Sequence, residues 1–300
     1  QALKSNTTAD GNTAVGDQAL EANTTGAFNV AVGGLAGDAN TTGVRNTAVG
    51  HQSFSANTTG DYNTAIGRSA LFANTTADEN TAVGYEALNS NTTGHSNTVV
   101  GAYAADALTV GTLNTAVGIN ALGSDTKGSR AVAIGRLALG AQNFTSATAN
   151  YNAFFGRSAG RKVTTGDENT AIGRNALDNA TSGHRNTMVG FNSGGAITTA
   201  GENTFIGGDA GESTTTGGVN TFVGFQAGEA NTTGNNNVFI GSNAGDANTT
   251  AASNVAVGVN ALGANTTGTE NNAFGRGALD SNTTGDENNA FGRGALGANT

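Results

Sequence analysis

Apolar and polar residues recur along this chain with one fixed period of 17 residues. One copy of the unit is residues 12–28, N-T-A-V-G-D-Q-A-L-E-A-N-T-T-G-A-F, and we number its positions 1 to 17 from Asn12. Position 5 is glycine in all seventeen copies, spaced by 17 residues except for 21 between Gly135 and Gly156. A short fixed period predicts stacked, near-identical units rather than a globular fold around one site.

Each unit is too short for a helix pair, which needs roughly 33 residues or more. Positions 1 to 4 are compatible with a β-strand, which the glycine at position 5 ends. We expect a second short strand over positions 7 to 11, before Asn-Thr-Thr-Gly turns the chain. The sequence therefore predicts an all-β fold, a parallel β-solenoid with one unit per coil. About 17 coils would span roughly 80 Å at a coil spacing of about 4.8 Å.

Two adjacent positions of the first strand, 3 and 4, are apolar in every copy. Position 3 covaries in size with position 9, so that Phe222 accompanies Gly228 whereas Ala82 accompanies Leu88. Close packing predicts that these positions touch inside the coil. The coil with Ala31 and Gly37 departs from this rule, which predicts looser packing there.

If position 3 faces inward, position 4 faces outward, because neighbouring strand residues point to opposite faces. An exposed apolar column needs a covering surface, which an identical chain can supply. The alternative is a monomer whose position 4 faces inward. The predicted oligomer axis, called here the position-4 column, is lined by Val15, Val32, Val49, Ile66, Val83, Val100, Val117, Ile134, Phe155, Ile172, Val189, Ile206, Val223, Ile240, Val257, Phe274 and Phe291.

Composition excludes several classes of protein. The net charge is −9 without a basic cluster, which argues against nucleic-acid binding. The absence of cysteine excludes disulfides and thiolate metal sites, and no apolar run reaches the roughly 18 residues that membrane insertion requires. His51, His95 and His184 fall in turns without triad partners, and the acidic residues lack the spacing of calcium-binding β-rolls. We expect no enzymatic activity, no cofactor and no metal site.

The polar turn carries Asn-Thr-Thr, which matches the N-glycosylation acceptor at Asn23 and other copies. The preferred interpretation is a ladder of stacked, hydrogen-bonded asparagine side chains. The rows of threonine along the turns also suggest ice binding, although the flat Thr-x-Thr strand that an ice-binding face needs is missing. The four extra residues of one coil predict an insertion loop over 142–151, either tolerated or ligand-binding. Residues 1–300 are predicted to be a single solenoid array, a window of a longer fibre.

Charged residues suggest contacts between chains. Asp167 and Glu168, at positions 16 and 17, occur in a coil with Arg157 at position 6, and two other coils repeat this combination. The two ends of the first strand lie about 17 Å apart, too far to pair within one coil. We hypothesise inter-chain ion pairs that set register, with a solvated mixed-charge surface as the alternative.

The repeat N-T-A-V-G-x-x-A-L-x-x-N-T-T-G resembles the head repeat of trimeric autotransporter adhesins, the YadA-like head. Residues 129–135, S-R-A-V-A-I-G, come close to that family's N-S-V-A-I-G unit. The resemblance covers essentially the whole chain and implies a left-handed parallel β-roll, a homotrimer and a bacterial surface. Similar repeats occur in phage tail fibres. The chain departs from the family in its period, since the family's is about 14 residues, and in its usual threonine at position 2.

Together, these observations predict an extracellular structural fibre or adhesin rod, located on a cell surface or a virion fibre. Its repetitive Thr- and Asn-rich surface would attach to a host surface or a matrix ligand. A phage tail fibre shaft shares every feature visible in the sequence. A monomeric ice- or surface-binding solenoid is the alternative from a different class.

Overall fold

A computed structural model of the protein describes residues 1–299, which form an all-β fold without a helix. Each coil contributes one three-residue strand at positions 2 to 4. The chain divides into two compact units, Gln1–Asn152 and a second that begins at Ala153. The strands are β1 Thr13–Val15, β2 Val30–Val32, β3 Thr47–Val49, β4 Thr64–Ile66, β5 Thr81–Val83, β6 Thr98–Val100, β7 Thr115–Val117, β8 Val132–Ile134, β9 Ala153–Phe155, β10 Thr170–Ile172, β11 Thr187–Val189, β12 Thr204–Ile206, β13 Thr221–Val223, β14 Val238–Ile240, β15 Val255–Val257, β16 Asn272–Phe274 and β17 Asn289–Phe291.

Both units are parallel β-solenoids, which confirms the predicted fold class. Strands β1 to β8 pair in chain order in the first unit, and β9 to β17 do so in the second. In each pair, residues at the same position of successive coils face each other, as Val49 faces Ile66. This register aligns every position of the repeat into a column along each unit.

The glycine at position 5 is required by the close approach of successive coils. Gly101 has φ 140°, and a Cβ placed on it would lie 2.6 Å from the carbonyl oxygen of Gly118. Because the obstructing atom belongs to the backbone, a side chain here would force two coils apart. The glycines of this column therefore permit the strand spacing as well as the turn.

The prediction of a second strand over positions 7 to 11 is wrong, because that segment is a chain of tight turns. Gln18 and Leu20 have φ of 58° and 50°, in the left-handed region that no strand uses. The amide of Leu20 donates to Ala36 of the next coil, whereas that of Glu21 donates back to Gln18. This arrangement buries the consecutive side chains of positions 8 and 9, which a strand of period two cannot do.

The interior confirms the predicted contact between positions 3 and 9. A Cβ on Gly228 would lie 2.5 Å from ring carbon Cε2 of Phe222, so glycine makes room for the ring. The rings of Phe205, Phe222 and Phe239 stack with centroid separations of 4.5 and 4.9 Å. At Gly37 a Cβ would lie 3.2 Å from Leu20 Cδ2 of the preceding coil, and the looser packing expected in the coil of Ala31 and Gly37 stays a prediction.

Two asparagine ladders line the inside of the turns, which confirms the ladder interpretation. At position 12, Asn40 Nδ2 donates to Asn23 Oδ1 at 2.8 Å and to the carbonyl oxygen of Gly43 at 3.0 Å. At position 1, Asn29 Oδ1 accepts from the backbone amide of Asn46 at 2.9 Å. These asparagines are buried, so their hydrogen bonds replace those that water would make.

The insertion over 142–151 is anchored through buried side chains while its middle is exposed. Gln142 Nε2 donates to Asp125 Oδ2 at 2.7 Å, and Gln142 Oε1 accepts from Asn152 at 2.9 Å. Asp125 Oδ1 accepts from the amides of Gly128 and Phe144 at 3.0 and 3.2 Å. A buried carboxylate that accepts several N–H bonds is compensated without a cation.

Candidate interaction surface

The position-4 column lies on the outer face of the stacked strands in each unit. Ala65 at position 3 is fully buried, whereas the next residue, Ile66, is 39% exposed. Across the column the exposed large side chains retain between 36% in Val32 and 69% in Phe291. Position 4 therefore points outward in both units, and the alternative of an inward-facing position 4 is wrong.

The outward face has a regular composition. Position 2 lies on the same face as position 4, and it is threonine in β3 to β7. Side chains of the column meet along the unit, as the rings of Phe274 and Phe291 stack at 5.0 Å with an interplanar angle of 3°. Successive side chains repeat at the strand spacing of about 4.8 Å. The face is thus a strip of mainly threonine and aliphatic side chains, with phenylalanine at position 4 in β9, β16 and β17, and it has no charged residue in positions 2 to 4.

Position 17 forms a second outer column, and in the first unit it combines cations with aromatic rings. The guanidinium carbon of Arg45 lies 5.8 Å from the ring centroid of Phe28 and 5.3 Å from that of Tyr62. Arg130 stacks in the same way at 5.6 Å from Tyr151. The ring of Phe28 also lies over Gly11, where an added Cβ would be 2.7 Å from Phe28 Cδ1. The column therefore gains cation–π stabilisation along the coil axis.

In the second unit the same column contains ion pairs. Arg185 Nε lies 2.8 Å from Glu168 Oε2, and Arg185 Nη1 lies 3.4 Å from Glu202 Oε1. The hydrogen bond that Arg185 donates to Glu168, together with the charge of that carboxylate, raises the pKa of the Arg185 guanidinium. Glu168 is thus paired within its own chain. Contacts of Arg157 with another chain stay a prediction.

The acidic residues at position 16 have a structural role that the sequence did not reveal. Asp78 Oδ1 accepts from the backbone amide of Asp61 at 2.8 Å, and Asp286 Oδ1 accepts from that of Thr269 at 2.7 Å. Each carboxylate thereby satisfies a backbone donor in the preceding coil. Only the register between coils identifies this donor, because it lies 17 residues away in sequence.

A polar groove follows position 10 in the second unit. Over Gly263, a Cβ would lie 2.9 Å from Asp280 Oδ1 and 3.5 Å from Asp246 Oδ1. Burial raises the pKa of Asp246, and the charge of Asp280 adds to the effect. No group of three or more His, Cys, Asp or Glu side chains in residues 1–299 is arranged to hold a metal ion. All three histidines are exposed, and His95 contacts the hydroxyl of Ser96 at 3.2 Å.

No protein-family model matches the chain, and no curated protein matches it in sequence. Residues 1–299 contain no helix with the length and apolarity needed to cross a bilayer.

Proposed function

We propose that this protein is a structural fibre or adhesin rod whose copies associate as a homotrimer through the position-4 column. The observation that carries the proposal is a continuous apolar column in one register on the outside of each unit, where the side chains of Ile66 and Ile172 remain 39% and 43% exposed. An exposed apolar strip of this length favours association, because burying it removes ordered apolar surface from water.

Burying one side chain of the position-4 column contributes a modest free energy of association, but the column repeats that contribution many times. Full burial of a valine or isoleucine is worth about 1.5–3 kcal/mol, so covering the remaining two-fifths yields roughly 1 kcal/mol each. In the first unit Val15, Val32, Ile66 and Val100 retain at least about this exposure and would contribute roughly 4 kcal/mol towards association, and the other four positions, which are half-buried, would add less. Loss of rotational and translational freedom offsets part of this sum, and the regular register limits the reordering that binding requires.

The columns that border the face fit the rim of such an interface. Positions 17 and 6 flank the strand in sequence and carry charge, as in Arg185 and Arg157. Protein interfaces combine an apolar centre with a polar rim. The exposed Thr-rich turns lie away from the strand and would remain available for attachment to a host surface or a matrix ligand. The extracellular location is part of the proposal and rests on the resemblance of the repeats.

Light scattering on the purified chain tests the proposal, and a mass of three chains is expected. Replacing Val83, Val100 and Val117 by aspartate should dissociate the trimer, because each charge would be buried without a partner. The matched control replaces Thr59, Thr76 and Thr93, exposed at position 14, by aspartate, and it should remain trimeric. A monomeric wild type would contradict the proposal, as would a valine variant with the mass of the wild type.

One observation favours a second function, the ice- or surface-binding monomer. Threonine at position 2 and an aliphatic residue at position 4 give Thr-x-Val or Thr-x-Ile ranks on one face from β3 to β7. Such a regular face could match a repeating solid lattice. If the wild type is a monomer that inhibits ice recrystallisation, and the same valine replacements abolish that inhibition, the ice-binding function replaces the fibre proposal. A phage tail fibre shaft would also be a trimer, so the oligomeric state does not distinguish it from an adhesin rod.

A further inference from the structure

The sequence contains twelve N-x-[ST] matches, of which ten are the Asn-Thr-Thr of position 12. The other two begin at Asn143 and Asn179. A sugar attached to asparagine replaces a hydrogen of the amide nitrogen and needs open space around it. Accessibility of the Nδ2 atom therefore decides which matches can be modified in the folded chain.

The position-12 matches are closed to modification by their ladder bonds. Asn57 is fully buried, and its Nδ2 donates to Asn40 Oδ1 at 2.7 Å and to the carbonyl oxygen of Gly60 at 3.2 Å. Asn6 is exposed, but its Nδ2 donates to the carbonyl oxygen of Ala9 at 3.2 Å. A glycan on these residues would break the turn of its own coil.

Asn179 is also engaged at both ends of its amide. Its Nδ2 donates to the carbonyl oxygen of Gly195 at 2.7 Å, and its Oδ1 accepts from Lys162 Nζ at 2.6 Å. The residue is half-buried beside these partners. The amide nitrogen is therefore neither free nor turned towards solvent.

Asn143 differs in each of these respects. It is exposed on the insertion, and its Oδ1 accepts from Thr126 Oγ1 at 3.0 Å. No hydrogen bond within residues 1–299 uses its Nδ2 as a donor. Because the oxygen is held by Thr126, the nitrogen of the same amide is directed away from that contact.

The neighbouring residues present the acceptor sequence from an anchored loop. Phe144 is 7% exposed, and its backbone amide donates to buried Asp125 at 3.2 Å. Thr145, which supplies the hydroxyl of the acceptor sequence, is exposed. The loop thus buries its middle residue and displays the two functional ones.

We propose that Asn143 is the N-glycosylation site of the folded protein, with a nucleotide-activated hexose as the donor. The Asn143 Nδ2 forms a bond to the anomeric carbon of the hexose while the bond from that carbon to the phosphate oxygen breaks. The nucleoside diphosphate leaves with the electron pair, and a base of the transferase takes the amide proton. The site lies on a turn rather than on the strand face, so it does not depend on the proposed trimer.

The test uses the full folded chain, UDP-glucose and a soluble N-glycosyltransferase selected because it modifies a peptide with the sequence of residues 140–148. Intact mass and fragmentation should show a single added hexose on Asn143. Asn143→Gln and Thr145→Ala should take up none, whereas Asn179→Gln should behave as the wild type. Circular dichroism checks that each variant is folded. A folded chain that takes up no hexose, or hexose that persists in Asn143→Gln, overturns the proposal.

Discussion

Removing one interior ring is the sharpest perturbation of the packing between positions 3 and 9. Phe222 is fully buried, and its ring is stacked between those of Phe205 and Phe239. Phe222→Ala should cost about 3–5 kcal/mol through lost transfer energy and the cavity that remains. Each stacked contact adds about 0.5–1.5 kcal/mol, so the loss should fall near the upper end, about 5 kcal/mol.

A second change should refill the cavity. Gly228→Leu alone overpacks the coil, because its Cβ would lie 2.5 Å from the Phe222 ring, and this should cost about 1–3 kcal/mol. In the double variant the leucine enters the space left by the ring, as Leu177 does opposite Ala171. Leu177 has φ 53° and Gly228 has φ 59°, so leucine fits this backbone at a cost of about 1–2 kcal/mol. The double variant should therefore exceed Phe222→Ala in stability by about 1 kcal/mol.

Hydrogen exchange is the appropriate assay, because stacked coils can open locally rather than in one global step. The amides of Thr221 and Gly228, which donate to Asn237 and Ala244, report on the perturbed coil. The control is Phe225→Ala, which removes the same side chain from an exposed site and should change stability by less than about 0.5 kcal/mol. Strictly additive losses in the double variant would show that the two positions do not share one space.

Two further variants probe the coil spacing and the position-10 groove. Gly101→Ala should lower the free energy of unfolding, measured in urea, by about 2–4 kcal/mol, because its methyl group would meet the backbone of Gly118. The control is Gly123→Ala, which should be nearly neutral, because the atom nearest to its Cβ lies at 3.4 Å. The raised pKa of Asp246 means that its ionised form destabilises the fold above that pKa and that the penalty fades as pH falls through it. Asp246→Asn should therefore raise the melting temperature at neutral pH and lose this advantage in acid, and an advantage that grows in acid would contradict the assigned cause.

Those parts of the fold that depend on a period were predictable from the sequence. The fixed spacing of glycines predicted the parallel stack, and the size covariation of Phe222 with Gly228 predicted an interior contact. The second strand over Gln18–Ala22 was predicted incorrectly, although alanine and glutamate, which make up three of its five residues, are depleted in strands. The apolar pair Ala19-Leu20 gave no warning, because the apolar pair at positions 3 and 4 does lie in a strand. Only the structure shows that both side chains of Ala19-Leu20 are buried, which a strand of period two with one buried face does not allow.

Contacts between outer columns could not be predicted in the same way. Arg45 stacks on Tyr62 and Arg185 pairs with Glu168, and each pair joins the same position in successive coils. The sequence places these residues in one column, but side-chain direction decides whether they meet. The network of Asp125, Gln142 and Asn152 was also missed, although Asp125 and Gln142 both occupy position 12, because neither is the asparagine that forms the ladder there.

The interior and the exterior of the repeat follow different constraints, and this difference indicates where function lies. In a ladder, each asparagine accepts from one coil and donates to another, so one replacement affects its neighbour as well. Leu108 interrupts the position-12 ladder, and the buried Oδ1 of Asn91 in the preceding coil has no hydrogen-bond partner in the described chain. An orphaned buried acceptor costs about 1–3 kcal/mol, which favours asparagine in adjacent coils. The outer positions 6, 10 and 17 also make contacts between coils, such as Arg185 with Glu168, but their residue types vary along the column. Under the proposed function, specificity for a partner would therefore reside there and in the insertion, while the position-4 column would supply the uniform surface for assembly.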